Sequence, residues 1–552
     1  MKRTEREIVI PLLIAVLAAG AIMTLVLTWK LTFWQDTFDF LILRRDITLD
    51  TVMMPHNEHI TVFPVLIEQA IMRVFGLGNA HPEYVLLTAF LIAAALLVFV
   101  YVRRHLGYWA GLFATILILC LGPAWEVLLW PFEIGFIGSV VFGVAMFLAL
   151  ERESRGWDLA ACAFLILSMG FSSLGLPFAV GAAVDVLQKR RARGWGRVYL
   201  VAVPLVLFAL WYLGWGRDAE SHMTLHNVFA SPRFVIESAA IALGSLFGLG
   251  TNPINGETTP LWGALILVGI AAAVVYLQRR RPGFSPTLWP VAAAALANWF
   301  LTAFNQIPGR DPTSSRYQYA GAVFIILLLA NLLPRIAWSR RAVIAGAAVV
   351  ILAAGPNLVV LKGGRNGLDL QTVYTKADLA AIEIARRTVD PEFQLGPEVA
   401  GTPSLVNVYA GDWLEADDEY GSPAYSEAEL AAAPAPGPQQ ADIVLSQALP
   451  LRTLVTPDAY ARQGGRENCV TVPGGAPPNS EVEIDPGATR VEVAPGEEAH
   501  LNLRRFSPRG EYPVPTAGVE GGSVVVLRVP RDESPRPWHL HAEAEQSVRV
   551  CR

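Results

Sequence analysis

Five residues in one stretch have the types that acid–base chemistry needs. Asp36 and Asp39 stand three apart in TFWQDTFDFLILRRD, and His56, Glu58 and His59 follow in MMPHNEHITVFP. Three apart, the aspartates share a face of a helical turn. A carboxylate so placed removes a proton from an attacking hydroxyl. The histidines shuttle protons or, with Glu58, hold a divalent metal. HNEH is not the HExxH arrangement, because its histidines are three apart and form no i, i+4 pair. The plainer alternative is an exposed loop that carries polar side chains to water. Five such groups in one loop weigh against it.

A second group of residues suits an anion. In NQIPGRDPTSSRYQY, Arg310 and Arg316 are six apart with Gly, Pro and Ser between them. Guanidinium groups grip phosphate in a bidentate fashion. Otherwise Arg316 and Tyr317 anchor a span at the headgroups. Arg44 and Arg45 face the same two readings. A third group is AWEVLLWPFEIGF, where Trp125, Trp130 and Phe132 read as an aromatic belt. Glu126 and Glu133 beside them could line a cavity, and rings next to carboxylates suit sugars. Trp34 and Phe38 read as interfacial anchors.

The elements that must position these residues are set by hydropathy. The chain has 552 residues, 53% hydrophobic and 16% charged, with mean hydropathy +0.41. Soluble domains carry about a quarter charged residues. Up to residue 361, apolar runs of roughly 17–21 residues recur, the length that spans a bilayer. About eleven crossings are expected: near 8–28, 85–102, 108–122, 134–150, 158–170, 174–188, 197–215, 262–278, 286–304, 318–334 and 341–361. Basic clusters at Arg103-Arg104, Lys189–Arg193, Arg279–Arg281 and Arg340-Arg341 alternate correctly if the N-terminus is cytoplasmic. Residues 234–250, FVIESAAIALGSLFGLG, are apolar enough to be a span. Counting them would put the QRRR cluster outside, so an interfacial or re-entrant helix is expected there. The run 8–28 follows MKRTERE and is expected to be an uncleaved first span. The chemistry-bearing loops then lie outside, and an amphipathic stretch from about Ile60 to Phe75 lies within the first.

After residue 361 the character changes. Residues 362–552 are expected to form a second domain outside the cytoplasm, a short helix and then a β-sandwich. TKADLAAIEIARRT at 375–388 has helical spacing. AAAPAPGP at 431–438 reads as a linker or exposed loop. VEIDP, TRVEVAP, AHLNLRRF, SVVVLRVP and SVRVCR alternate as strands do. The net charge is +6 up to residue 361 and −11 beyond, which sums to −5. The acidic tail does not suggest nucleic acid as a partner. Of four cysteines, Cys120 and Cys162 lie in apolar runs. Cys469 and Cys551 are free to pair if the tail is in an oxidising compartment. No P-loop, GxGxxG, GxSxG or kinase signature is present.

One span followed by a long acidic first loop with an amphipathic helix resembles the GT-C superfamily of multi-pass glycosyltransferases. PHNEHITVFPVLIEQAIMRVFGLG at 55–78, WPFEIGF at 130–136, SSLGLPFAV at 172–180 and SRYQY at 315–319 are similar to an actinobacterial group with a PHNEH first loop. The resemblance covers residues 1–361. It implies a polyprenyl-phosphate sugar as donor and a glycan or wall polymer as acceptor, handled at the membrane lipid surface. It implies a first-loop acid as base, which falls on Asp36 or Asp39, with Glu58 a further candidate. Many relatives carry adjacent acids there, whereas this chain has Gln35-Asp36. The lipid phosphate would meet Arg310 or Arg316, with Arg44, Trp34, Trp130 and Glu133 as further substrate contacts. Some members use a divalent metal, for which His56, Glu58 and His59 are the ligands besides the aspartates. The competing readings are a flippase for lipid-linked sugar and a non-catalytic scaffold in envelope assembly. A transporter would carry more polar residues in mid-span than this chain does.

Overall fold

The computed structural model describes residues 2–254, 256–280, 283–335, 337–395, 405–449, 451–456, 469–475, 480–493, 498–545 and 547–551. Arg281 of the expected basic cluster lies outside them. The chain divides into two compact units, each described here by itself. The first comprises Met1–Lys30, Asp46–Ala70 and His81–Gly367; the second comprises Leu31–Arg45, Ile71–Ala80 and Leu368–Arg552. The first loop is thus shared out: the aspartates belong to the second unit, and the HNEH string to the first.

The first unit is a helical bundle. Its helices are apolar around most of their circumference, as lipid-embedded helices are. Among the described residues, seven helices are long and apolar enough to cross a membrane, and a pair bent by 53°, Tyr108–Leu119 with Gly122–Leu129, makes an eighth. Fewer pass that test than the eleven expected crossings because several are short: Arg155–Phe171 and Leu288–Phe304 have 17 residues each. At 1.5 Å per residue these rise about 25 Å, just under the hydrocarbon thickness.

Side-chain contacts mark the bundle's two ends. At one end, Arg197 binds Asp158 and Asp185, Arg193 binds Asp158, Lys189 binds Asp185, and Arg104 and His105 both bind Glu151. The basic clusters at 103–104 and 189–193 therefore gather together, and acids on neighbouring helices partly neutralise them. At the other end, Ser173 Oγ donates to Glu58 O at 3.2 Å and Ser315 Oγ accepts from Glu126 N–H at 3.1 Å. Near that same end, Gly138 makes room for the Phe171 ring, which a Cβ would meet at 2.3 Å.

Helix Leu225–Leu246 covers the ambiguous apolar segment and has the length and composition of a span. Its two ends nevertheless approach the same end of the bundle. Near its start, Asn227 Nδ2 donates to Phe304 O and Gln306 O, both at 3.1 Å. Beyond its end, Thr251 and Thr258 share a cavity with Glu126 and Thr313.

The second unit holds two antiparallel sheets. One runs Arg452–Thr456, Val524–Val529, Gly487–Glu492, Val548–Cys551 and Cys469–Val472 in spatial order; the other runs Glu481–Ile484, Trp538–Ala544, Glu498–Arg504 and Val514–Glu520. Each strand read from alternation is present. Ala499, Leu501 and Leu503 are buried on one face of theirs. Cys469 and Cys551 face each other on adjacent strands and form a disulfide.

Three readings of this region change. The helix expected at 375–388 is the last part of a 45-residue helix, Arg340–Ile384. AAAPAPGP is a short, partly exposed turn at 433–436 joining helices Glu427–Ala432 and Gly437–Ala448, not a linker between domains. Ser426 and Glu429 form a capping box that starts the first of these, and prolines at its end turn the chain into the second. Strands Arg452–Thr456, Cys469–Val472, Val514–Glu520 and Trp538–Ala544 were not read from the sequence.

Candidate functional site

HNEH folds on itself. His56 N–H donates to His59 O at 3.0 Å, and His59 N–H to His56 O at 2.9 Å. Asn57 takes φ 49°, a left-handed conformation that asparagine tolerates better than most residues. The tight turn fixes Glu58 between the histidines. Its backbone carbonyl is held by Ser173, which also accepts from Ile60 N–H at 3.3 Å. Its carboxylate meets Arg310, whose Nη1 lies 2.9 Å from both oxygens.

WPFEIGF supplies the aromatic surroundings. The Phe132 ring meets the edge of His56 at 5.1 Å and stacks on Trp130 at 4.9 Å. Phe136 meets His59 at 5.4 Å. Trp130 and Glu133 are both buried. Spaced four apart around the start of helix Ile134–Leu150, Phe132 and Phe136 can each take one histidine.

This packing sets the charges. Burial pushes the His59 imidazole down to about 4; Glu58 opposes the shift, and His56, Arg310 and Arg316 reinforce it. Both arginines therefore lie close enough to act on His59. Burial raises the Glu58 carboxyl, but His59 and Arg310 outweigh it and hold it below the ordinary value. His59 is neutral above pH about 4, so Arg310 is the cation facing Glu58 at neutral pH. His59 Nδ1 is buried without a hydrogen-bond partner among the described residues. Arg316 Nε donates to Glu126 at 3.2 Å.

Among the described residues, no three His, Cys, Asp or Glu side chains lie close enough to hold one. The two histidines lie against different rings, and Glu58 is engaged with Arg310.

In the second unit, Asp39 opens a π-helical turn, Asp39–Leu43, and Arg44 ends it. Arg44 Nη2 donates to Asp39 at 2.9 Å, and its guanidinium lies 5.0 Å from the Phe40 ring centre. Arg44 is 1% exposed, which leaves it no access to a lipid phosphate. Burial lowers its pKa, and the Asp39 charge opposes that shift. Asp39 is its ion-pair partner. Asp36 and Trp34 are half-buried, so Asp36 is the more accessible aspartate. Arg45 binds Glu415 at 2.7 Å and Asp412 O at 3.2 Å. The preceding bend is fixed by Gln35, at φ 43° and bridged in parallel to Leu405.

Sequence reading missed Ser173 and Ser315 as tethers and Glu126 as the partner of Arg316. Serines beside helix ends were a usable signal, since such hydroxyls commonly satisfy nearby backbone groups.

No known protein-family profile and no curated protein matches the chain. Solved structures similar in part include the following three. ArnT from Cupriavidus metallidurans bound to undecaprenyl phosphate is 15% identical, with TM-score 0.45 over 74% of this chain and 84% of that one. The apo form of that protein is 14% identical, with TM-score 0.44 over 81% and 93%. Arabinosyltransferase EmbB from Mycobacterium smegmatis is 12% identical, with TM-score 0.30 over 97% of this chain and 64% of that one.

Proposed function

We propose that this chain is a membrane glycosyltransferase that takes a sugar from a polyprenyl-phosphate donor and passes it to an acceptor hydroxyl outside the cytoplasm. The observation that carries the reading is the gathering of Arg310 and Arg316 around the HNEH turn, at the loop end of an apolar bundle. Each arginine is held by a carboxylate, Glu58 or Glu126, and remains only partly buried. Such a pair is preorganised for phosphate oxygens.

In this reading Asp36 takes the proton from the acceptor hydroxyl as its oxygen attacks the anomeric carbon. The bond from that carbon to the phosphate oxygen breaks, and the departing phosphate keeps the electron pair. Arg310 and Arg316 meet its charge. Asp39, engaged with Arg44, positions the turn that carries Asp36. No step requires a metal. The test is transfer of labelled sugar from a polyprenyl-phosphate donor in membranes carrying the full chain. Asp36→Asn should lower transfer by about 10²–10⁴-fold, the usual contribution of a general base. Full activity in both Asp36→Asn and Asp39→Asn would remove the assignment. Movement of lipid-linked sugar across vesicles without any transfer would favour a flippase.

A further inference from the structure

Between residues 150 and 200 the acids are Glu151, Glu153, Asp158 and Asp185. Each is already ion-paired with Arg104, Lys189, Arg193 or Arg197. These pairs tie the start of helix Arg155–Phe171 to the end of helix Gly175–Arg193 and to the segment leading into helix Tyr199–Gly214. No acid of this stretch is left over for its other bases.

Four arginines stand outside the pairs. Arg152, Arg155, Arg190 and Arg191 are exposed and have no ion-pair partner among the described residues. Glu153 and Lys189 are bonded at 3.3 Å, so their chain neighbours Arg152 and Arg190 lie on one part of the surface. Asp158 and Arg193 are bonded at 2.9 Å, which brings together the turns that carry Arg155 and Arg191. Two of the four lie over indoles: Arg152 is 5.6 Å from the Trp157 ring centre and Arg190 is 6.0 Å from that of Trp195. Trp157 is 45% exposed and Trp195 61%. A ring holds a guanidinium in place without cancelling its charge.

Four uncompensated positive charges call for an anion, and the guanidinium fork fits phosphate oxygens. The neighbouring surface decides which phosphate. Leu159 and Leu187 are exposed one helical turn from Arg155 and Arg191, on the same helix faces. Helix Tyr199–Gly214, part of a segment long and apolar enough to cross a membrane, exposes Val203, Val206 and Leu210. A free phosphate gains nothing from those side chains, and an acidic protein segment does not use them. A phosphodiester carrying acyl chains uses both surfaces, its headgroup on the arginines and indoles and its chains on the apolar faces.

We propose that Arg152, Arg155, Arg190 and Arg191, with Trp157 and Trp195, bind the phosphodiester headgroup of an anionic membrane lipid. The site does not depend on the transferase reading. The test uses the purified full chain in neutral detergent, titrated with phosphatidylglycerol or phosphatidylcholine, with native mass spectrometry counting bound lipid. Each arginine near an anionic lipid is worth about fivefold in affinity, so wild type should prefer phosphatidylglycerol at least tenfold. Changing the four arginines to glutamine should bring the two lipids within about twofold of each other, with Tm unchanged. Changing them to lysine keeps the charge without the fork and should leave an intermediate preference. In wild type, raising ammonium acetate from about 0.1 M to about 1 M shortens the screening length from about 10 Å to about 3 Å and should lower the preference at least fivefold. Loss of folding in the glutamine variant leaves the decision to the lysine variant and the salt series. No preference in wild type overturns the proposal, as does a preference that survives the glutamine changes or high salt. Displacement of the lipid by millimolar inorganic phosphate would make this a free-phosphate site and overturn it. Binding of polyglutamate in place of lipid would assign the arginines to an acidic protein segment and overturn it as well.

Discussion

Arg310 places one guanidinium nitrogen 2.9 Å from both carboxylate oxygens of Glu58, a residue 252 positions earlier in the chain. The pair joins the first loop to the turn before helix Ser315–Leu332. It also places a fixed cation beside the neutral His59. Loss of either partner leaves the other part-buried without its counter-charge, so Arg310→Ala and Glu58→Gln should differ in kind. Arg310→Ala should raise the KM for donor and lower kcat, together at least 10²-fold in kcat/KM. Glu58→Gln keeps the guanidinium and should cost less than tenfold. Steady-state transfer assays separate the two outcomes.

His59 makes stability depend on pH. Its pKa falls from 6.5 to about 4 on folding, so the unfolded chain binds more protons between those values. The contribution is complete above pH 6.5 and is lost as pH falls towards 4, about 3 kcal/mol in all. Glu58, depressed in the folded chain, adds a loss in the same direction at lower pH. Thermal unfolding of the first unit should show Tm falling across this window. His59→Gln should flatten the fall.

Asp36 and Asp39 should separate by readout. Asp36→Asn should lower transfer by about 10²–10⁴-fold with little change in Tm. Asp39→Asn leaves Arg44 buried beside a neutral partner and should destabilise the second unit by about 3 kcal/mol. Asp39→Asn combined with Arg44→Met should recover part of that stability. Thermal melts of the three variants beside wild type decide this.

In unfolded chain, Cys469 and Cys551 should resist alkylation until reductant is added, while Cys120 and Cys162 react without it. Cys551→Ser should cost the β-rich region about 2–4 kcal/mol.

Single cysteines at Asp218, Ile254 and Gly309 should all react with a membrane-impermeant maleimide from one side, and one at Arg152 only from the other. Opposite labelling at Ile254 would mean that helix Leu225–Leu246 crosses the membrane.

Much of this was legible in the sequence because its signals are local. Span length and basic clusters located the bundle helices, including the short turn at Ser172-Ser173. Alternation found the strands around Leu501, Val526 and Val550. What stayed hidden depends on distant partners. Nothing local says that Arg44 turns back onto Asp39 and is buried, or that Glu58 meets Arg310. The helix Gly437–Ala448 hid behind alanine and proline, whose composition reads as a linker until the capping box at Ser426 starts the chain turning. Strand Trp538–Ala544 hid because its buried positions include His541, which binds Ser480.

The central claim is that Arg310 and Arg316 receive a lipid phosphate whose sugar is then transferred. Its most direct measurement is single-turnover transfer in liposomes containing the purified full chain and a labelled polyprenyl-phosphate sugar. Wild type should release free polyprenyl phosphate in step with glycosylated acceptor, and Arg310→Ala combined with Arg316→Ala should slow both at least 10³-fold. Transfer at the wild-type rate by the double variant, or donor crossing the bilayer with its sugar still attached, would contradict the account.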